Sequence, residues 1–151
     1  MQRFAVDWVL SGELAVGPAP RADRHISRMQ EAGLRAVLSL CSEVEAPPPP
    51  ELGSLTTRRL VLPDHRVEQP MQFEQLERAL ELLAELQSAG AVYVHCVAGV
   101  ERSPLVCMAW LVRRHGQSPQ RALDYLMQVH PGTNPLPQQW RLLQQLQSQI
   151  K

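Results

Sequence analysis

Apolar residues recur at intervals of three and four over residues 71–88, where Phe73, Leu76, Leu80, Leu83 and Leu86 fall on one face. That spacing matches the 3.6-residue helical turn and predicts an amphipathic helix, which Gly90 ends. Elsewhere the apolar runs are short and unbroken. Residues 35–40 and 91–95 read as buried strands, because a strand covered on both faces has no polar face to alternate with. Residues 4–16 mix apolar runs with a Ser11-Gly12 turn signal and predict a small hairpin or edge strands. Ile26 and Met29 mark the inner face of a helix over 22–32, with Gly33 as its stop. Four consecutive prolines within 46–54 predict an exposed polyproline-type connector. Residues 59–62 read as a short strand ended by Pro63, which cannot continue a central ladder. Ser103-Pro104 opens a mostly apolar helix with Gly116 beyond its end, Ser118-Pro119 opens another that Pro131 stops, and Pro137 begins the last. Strands separated by helices predict the α/β class: a single domain over 1–151, built on a central, mixed, partly parallel sheet of about five strands flanked by helices.

Composition narrows the function classes. The 151 residues are 44% hydrophobic and 20% charged, ordinary for a soluble globular chain. The apolar runs at 36–40 and 105–112 fall well short of the ~20 residues that span a bilayer, and no basic stretch followed by an apolar one opens the chain as a secretory signal would. Fifteen Lys and Arg balance fifteen Asp and Glu, so neither nucleic acid nor a membrane surface is an expected partner. Three cysteines form no disulfide framework and favour a reducing, cytoplasmic setting. The five histidines are scattered, and adjacent His95 and Cys96 point to opposite faces of a strand, so neither a metal nor another cofactor is expected.

The segment that carries chemistry runs from His95 to Pro104, where a strand ends and a helix begins. Unpaired amides and the positive end of the helix dipole converge there. The backbone of Val97, Ala98, Gly99, Val100, Glu101 and Arg102 can wrap a tetrahedral oxyanion, with Gly99 supplying the unusual backbone angles. Arg102 can close the cradle with a planar fork onto two phosphate oxygens. Beneath this positive concavity Cys96 is favoured as a thiolate, placed for in-line attack on phosphorus. Ser103 can donate a hydrogen bond to the sulfur, and His95 can steady the loop through its ring. Cys96 taken alone would read as a small buried hydrophobe, as Cys107 does in its apolar helix. A carboxylate at Glu101 opposes an anion, so its side chain is expected to point outward, to solvent or to a partner such as Arg66 or Arg113.

His-Cys, five residues, Arg, then Ser resembles the signature of the cysteine-dependent protein phosphatases, in particular their compact dual-specificity members. The early Leu14-Ala15-Val16-Gly17, and the His130-Pro131-Gly132-Thr133-Asn134-Pro135 turn leading into Trp140-Arg141-Leu142-Leu143, are similar to the family's opening strand and closing helix. The resemblance implies that Asp64, in Leu62-Pro63-Asp64-His65, is the general acid; on its own it would read as a turn residue after a proline, and Glu68 is the fallback. It implies phosphorylated proteins as substrates and a shallow pocket open to phosphotyrosine, leaving phosphoserine and phosphothreonine undecided. Lipid-directed members carry lysines in this loop and none is present, which argues against highly charged phosphoinositides. Three alternatives stay open: a phospho-binding pseudo-phosphatase without turnover, an RNA 5′-triphosphatase, and a rhodanese-like sulfurtransferase. Leu40-Cys41-Ser42 resembles a stretch of the phosphoinositide-directed relatives in which a second cysteine traps the oxidised nucleophile, making Cys41 a candidate redox partner of Cys96 or simply a space-filling residue.

Overall fold

The computed structural model describes residues 3–64, 66 and 69–150. Five strands form one sheet in the order β1-β2-β5-β3-β4: β1 Asp7–Leu10, β2 Leu14–Gly17, β3 Leu34–Ser39, β4 Thr56–Arg59 and β5 Ala91–His95. The β1–β2 hairpin is antiparallel and every other pairing is parallel. The expected α/β architecture is the observed one.

Side-chain alternation in the strands divides the core in two. Val16, Leu38 and Val94 face α2 Phe73–Leu86 and the three later helices, α3 Arg102–His115, α4 Pro119–Val129 and α5 Pro137–Ser148. Ala15, Val37 and Tyr93 face the other way, onto Ile26 and Met29 of α1 Asp23–Glu31. A strand with helices on both faces must be apolar on both, which is why β5 is buried at all five positions. Helix α3 is buried from Arg102 to Val112 and forms the spine of the larger layer. Among the described residues no helix is long and apolar enough to cross a membrane.

Three expectations need correction. The fourth strand is Thr56–Arg59, not 59–62. It pairs with Ala36–Ser39 as a polar edge strand and carries no apolar signal, while the apolar residues after it only add the bonds Leu60 N–H to Ser39 O and Leu62 N–H to Leu40 O. The proline-rich connector is not wholly exposed: it closes in a 3-10 turn, Pro50–Ser54, and Leu52 packs into the smaller core with Leu55. Helix α3 begins at Arg102, one residue earlier than the Ser-Pro signal indicated.

Registers place the chemistry. Gly17 of β2 pairs with His95 of β5, and His95 pairs with Ser39 of β3, so three parallel strands end side by side. Pro18-Ala19, Cys96-Val97 and Leu40-Cys41 therefore leave the sheet at one carboxyl edge, the place where open α/β sheets bind ligands.

Candidate active site

The 96–102 loop is pinned from outside. Ala19 N–H donates to Val97 O at 3.0 Å, and Asn134 N–H to Val100 O at 3.1 Å. His130 Nε2 lies 2.6 Å from Gly99 O, and His95 Nδ1 lies 2.8 Å from Cys96 O. In a trans peptide the carbonyl and the following N–H point in opposite directions, and no peptide bond of the described residues is cis. Four carbonyls held outward thus turn the N–H groups of Val97, Ala98, Val100 and Glu101 toward the pocket. Gly99 makes the reversal, at φ +76°, and a Cβ there would sit 3.0 Å from the Gly17 carbonyl.

His95 is buried, and burial is the main reason its pKa is pushed down to about 4, so the ring is neutral. A carbonyl can only accept, which puts the one proton on Nδ1 and makes Nε2 the acceptor for Ser39 Oγ–H at 2.7 Å. His130 differs. Its Nδ1 lies 2.6 Å from Asp7 Oδ2 while its Nε2 reaches Gly99 O, so the ring ties the loop to β1.

Cys96 is buried at the loop's base, with Sγ 3.3 Å from Ser103 Oγ. Arg102 is also buried. Its Nη2 donates to Glu45 Oε1 at 3.0 Å and its Nη1 to Leu62 O at 3.1 Å, while Nε is buried with no partner among the described residues. A buried N–H without an acceptor costs about 1–3 kcal/mol, and in a concave cationic site an anionic oxygen removes that cost. The residues present thus fit a phosphate group.

Asp64 lies across the cleft. Arg66 donates to it from Nε at 2.7 Å and from its backbone N–H at 2.9 Å, and Arg102 Nη2 is 3.8 Å from Oδ2. Burial works to raise the Asp64 pKa, but these hydrogen bonds and the two guanidinium charges outweigh it and hold the carboxyl below the usual range. The same logic applies to Glu45, which burial would raise and Arg102 and Ser42 lower. The Glu101 charge acts on Arg66, whereas Arg113 pairs with Glu77 on α2. Glu68 lies outside the described residues.

Cys41 packs with Ala19, Ala46 and Val97 beside the loop, and its carbonyl accepts from Arg59 Nη1. Burial chiefly pushes its thiol up, with the Cys96 charge adding to that effect. Cys107 is fully buried in α3, its thiol pushed up beyond the usual range, as a core residue's is. All three cysteines are unpaired thiols. Among the described residues no group of three or more His, Cys, Asp or Glu is placed to hold a metal.

Sequence reasoning missed Glu45, Ser39, the hold of Arg66 on Asp64 and the role of His130. Glu45 and Arg66 had one available signal, both lying just after strands that end at the active edge. His130 had none beyond its place in the closing turn.

The family model of the dual specificity phosphatase catalytic domain matches residues 16–149. The mouse dual specificity protein phosphatase 12 is 34% identical over 104 residues, which are 68% of this chain and 30% of that protein. The human dual specificity phosphatase 28 is 30% identical over 124 residues, 81% of this chain and 69% of that one. The chain thus spans under a third of the mouse relative's length. The crystal structure of Tk-PTP in the active form superposes with a TM-score of 0.81 at 26% identity, covering 96% of this chain and 97% of that one. The signature loop, the mixed five-strand sheet and the match over nearly the whole chain agree: this chain belongs to the dual specificity phosphatase catalytic-domain family.

Proposed function

We propose that the chain hydrolyses phosphomonoesters on proteins, phosphotyrosine first and phosphoserine or phosphothreonine as further substrates, through a cysteinyl-phosphate intermediate. The observation that carries this reading is the buried Arg102 Nε without a partner among the described residues, beside a buried Cys96 at the base of a loop whose carbonyls are tied up by neighbouring groups. In the first step the Cys96 thiolate attacks phosphorus, the P–O bond to the leaving group breaks, and Asp64 gives its proton to the departing oxygen. In the second, water attacks phosphorus and the Asp64 carboxylate takes a proton from it. The Cys96–phosphorus bond then breaks, and Ser103 Oγ–H steadies the released thiolate. Before the first step the phosphate must share or take the guanidinium fork that Glu45 holds. The reading includes a cytoplasmic setting, which keeps the three thiols reduced.

One observation favours a second reading, phosphate binding without turnover: Arg66 clamps Asp64 in the carboxylate form, the wrong form for an acid. The test measures phosphate release from an aryl phosphate, phosphopeptides and RNA 5′-triphosphate in parallel, with and without vanadate. Vanadate-sensitive turnover of the first two, lost in Cys96→Ser, is expected. Phosphopeptide binding without release would establish the second reading, and preference for the RNA end would displace both.

A further inference from the structure

On the side of the loop away from Glu45 and Asp64 lies a groove of about 1220 Å³ that ends at Val97 and Ala98, the first two residues after Cys96. Four arginines line it, Arg3, Arg21, Arg24 and Arg28, and among the described residues no carboxylate does. In a chain with no net charge, that is a local concentration of one sign. No described carboxylate lies within ion-pair distance of Arg3, Arg21 or Arg24, all exposed, whereas Arg58, Arg78 and Arg113 each have an acidic partner.

The wall is built in advance. His25 stacks on Phe4 with ring centroids 4.4 Å apart and planes 9° from parallel, and Arg28 lies 5.5 Å over the same ring. Arg28 also donates to Phe4 O, and Arg21 N–H donates to His25 Nδ1 at 3.0 Å. His25 therefore contributes an Nε2–H donor, and burial, Arg24 and Arg28 all disfavour its charged form.

We infer that this groove binds the acidic flank of a phosphorylated peptide whose phosphate sits in the 96–102 loop. The inference rests on the phosphomonoesterase reading and names its substrate class. Arg24 and Arg28 are one helical turn apart, about 6 Å along the axis. In an extended peptide, side chains on one face recur every two residues, about 6.7 Å. Carboxylates at alternate positions thus match Arg24 and Arg28 one to one. A bilayer is disfavoured: the exposed apolar Val44 and Val61 flank β3 and β4, outside the groove's lining.

The test uses phosphotyrosine peptides with Glu at alternate positions on the N-terminal side, on the C-terminal side, or Gln throughout. Each is read as kcat/KM with the wild type and as binding to Cys96→Ser by fluorescence polarisation. Wild type should favour one acidic peptide over the neutral one by about three- to tenfold at low salt, as expected for two exposed ion pairs, and salt should shrink the ratio. The double variant Arg21→Glu/Arg24→Glu should reverse the preference, chiefly through KM, while Arg21→Lys/Arg24→Lys should keep most of it. Equal kcat/KM and equal binding for all peptides overturns the inference. So does binding of phosphatidylglycerol vesicles that the double variant loses while no peptide preference exists. Should wild type turn over no peptide, the catalytic reading fails, and the polarisation data still decide the groove.

Discussion

Gly99→Ala separates two costs that the structure states independently. The first is backbone: at φ +76° an alanine gives up about 1 kcal/mol relative to glycine. The second is contact: its Cβ would meet the Gly17 carbonyl carbon and oxygen at 3.0 Å and Pro18 N at 3.3 Å, all backbone that cannot rotate away. Relief requires the loop or the end of β2 to shift by a few tenths of an ångström, straining the His130 and Asn134 bonds and adding about 1 kcal/mol more. A total of about 2 kcal/mol lowers Tm by about 4–8 °C in a domain of this size. Displaced amides also meet phosphate poorly, and an ångström of misplacement is worth about 10²-fold, so kcat/KM should fall by about 10–100-fold. Gly12 has a similar φ, +75°, in open space, so Gly12→Ala shows the backbone cost alone. Gly53 has open space and no positive φ, so Gly53→Ala should cost nothing. Calorimetry on the three variants, with aryl phosphate kinetics beside it, is the assay. If Gly99→Ala melts within a degree of Gly12→Ala and turns over like wild type, the loop is not held as described.

Asp64→Asn should reduce turnover of phosphotyrosine peptides by about 10²–10⁴-fold and that of an aryl phosphate with an acidic phenol far less; equal dependence on leaving-group pKa in both enzymes would make Asp64 structural. Arg66→Ala removes the side-chain hydrogen bond and the guanidinium charge that help hold the Asp64 carboxyl low, and keeps the backbone N–H bond, so its pKa should rise. The acid works while protonated and activity falls as pH climbs through that pKa, so the alkaline limb of kcat/KM should move to higher pH. A limb that stays in place would mean Arg66 does not govern the acid. Mild peroxide should oxidise Cys96 to a sulfenic acid that the Cys41 thiol condenses with, releasing water and forming a disulfide. Mass spectrometry without reductant should then find the Cys41–Cys96 peptide, and Cys41→Ser should recover less activity after thiol treatment than wild type; equal recovery and no such peptide would leave Cys41 as packing.

The sequence by itself determined whatever depends on neighbours along the chain. The periodicity of 71–88 reads directly as α2, and the unbroken run at 91–95 as the central strand, because burial on one face or two leaves its mark residue by residue. The candidate loop was legible for the same reason: Cys96, Gly99, Arg102 and Ser103 lie close together along the chain, so their spacing largely sets their geometry. Strand β4 was misplaced because an edge strand takes its stability from ladder hydrogen bonds to β3, which any side chain permits, so Thr-Thr-Arg-Arg carried no signal. What only the tertiary structure decided is what crosses the sheet edge. Glu45 reaches Arg102 over 57 positions, His130 reaches Gly99 over 31, and Ser39 reaches His95 over 56. Those pairs exist because parallel strands β2, β5 and β3 end in register, which brings loops remote in sequence to one spot. The arginine-lined groove has the same origin: residues 3 and 21–28 meet residues 97–98 only once β2 and β5 lie side by side. A chain of balanced composition hides such a patch, because net charge is a sum over residues while a surface potential depends on where folding puts them.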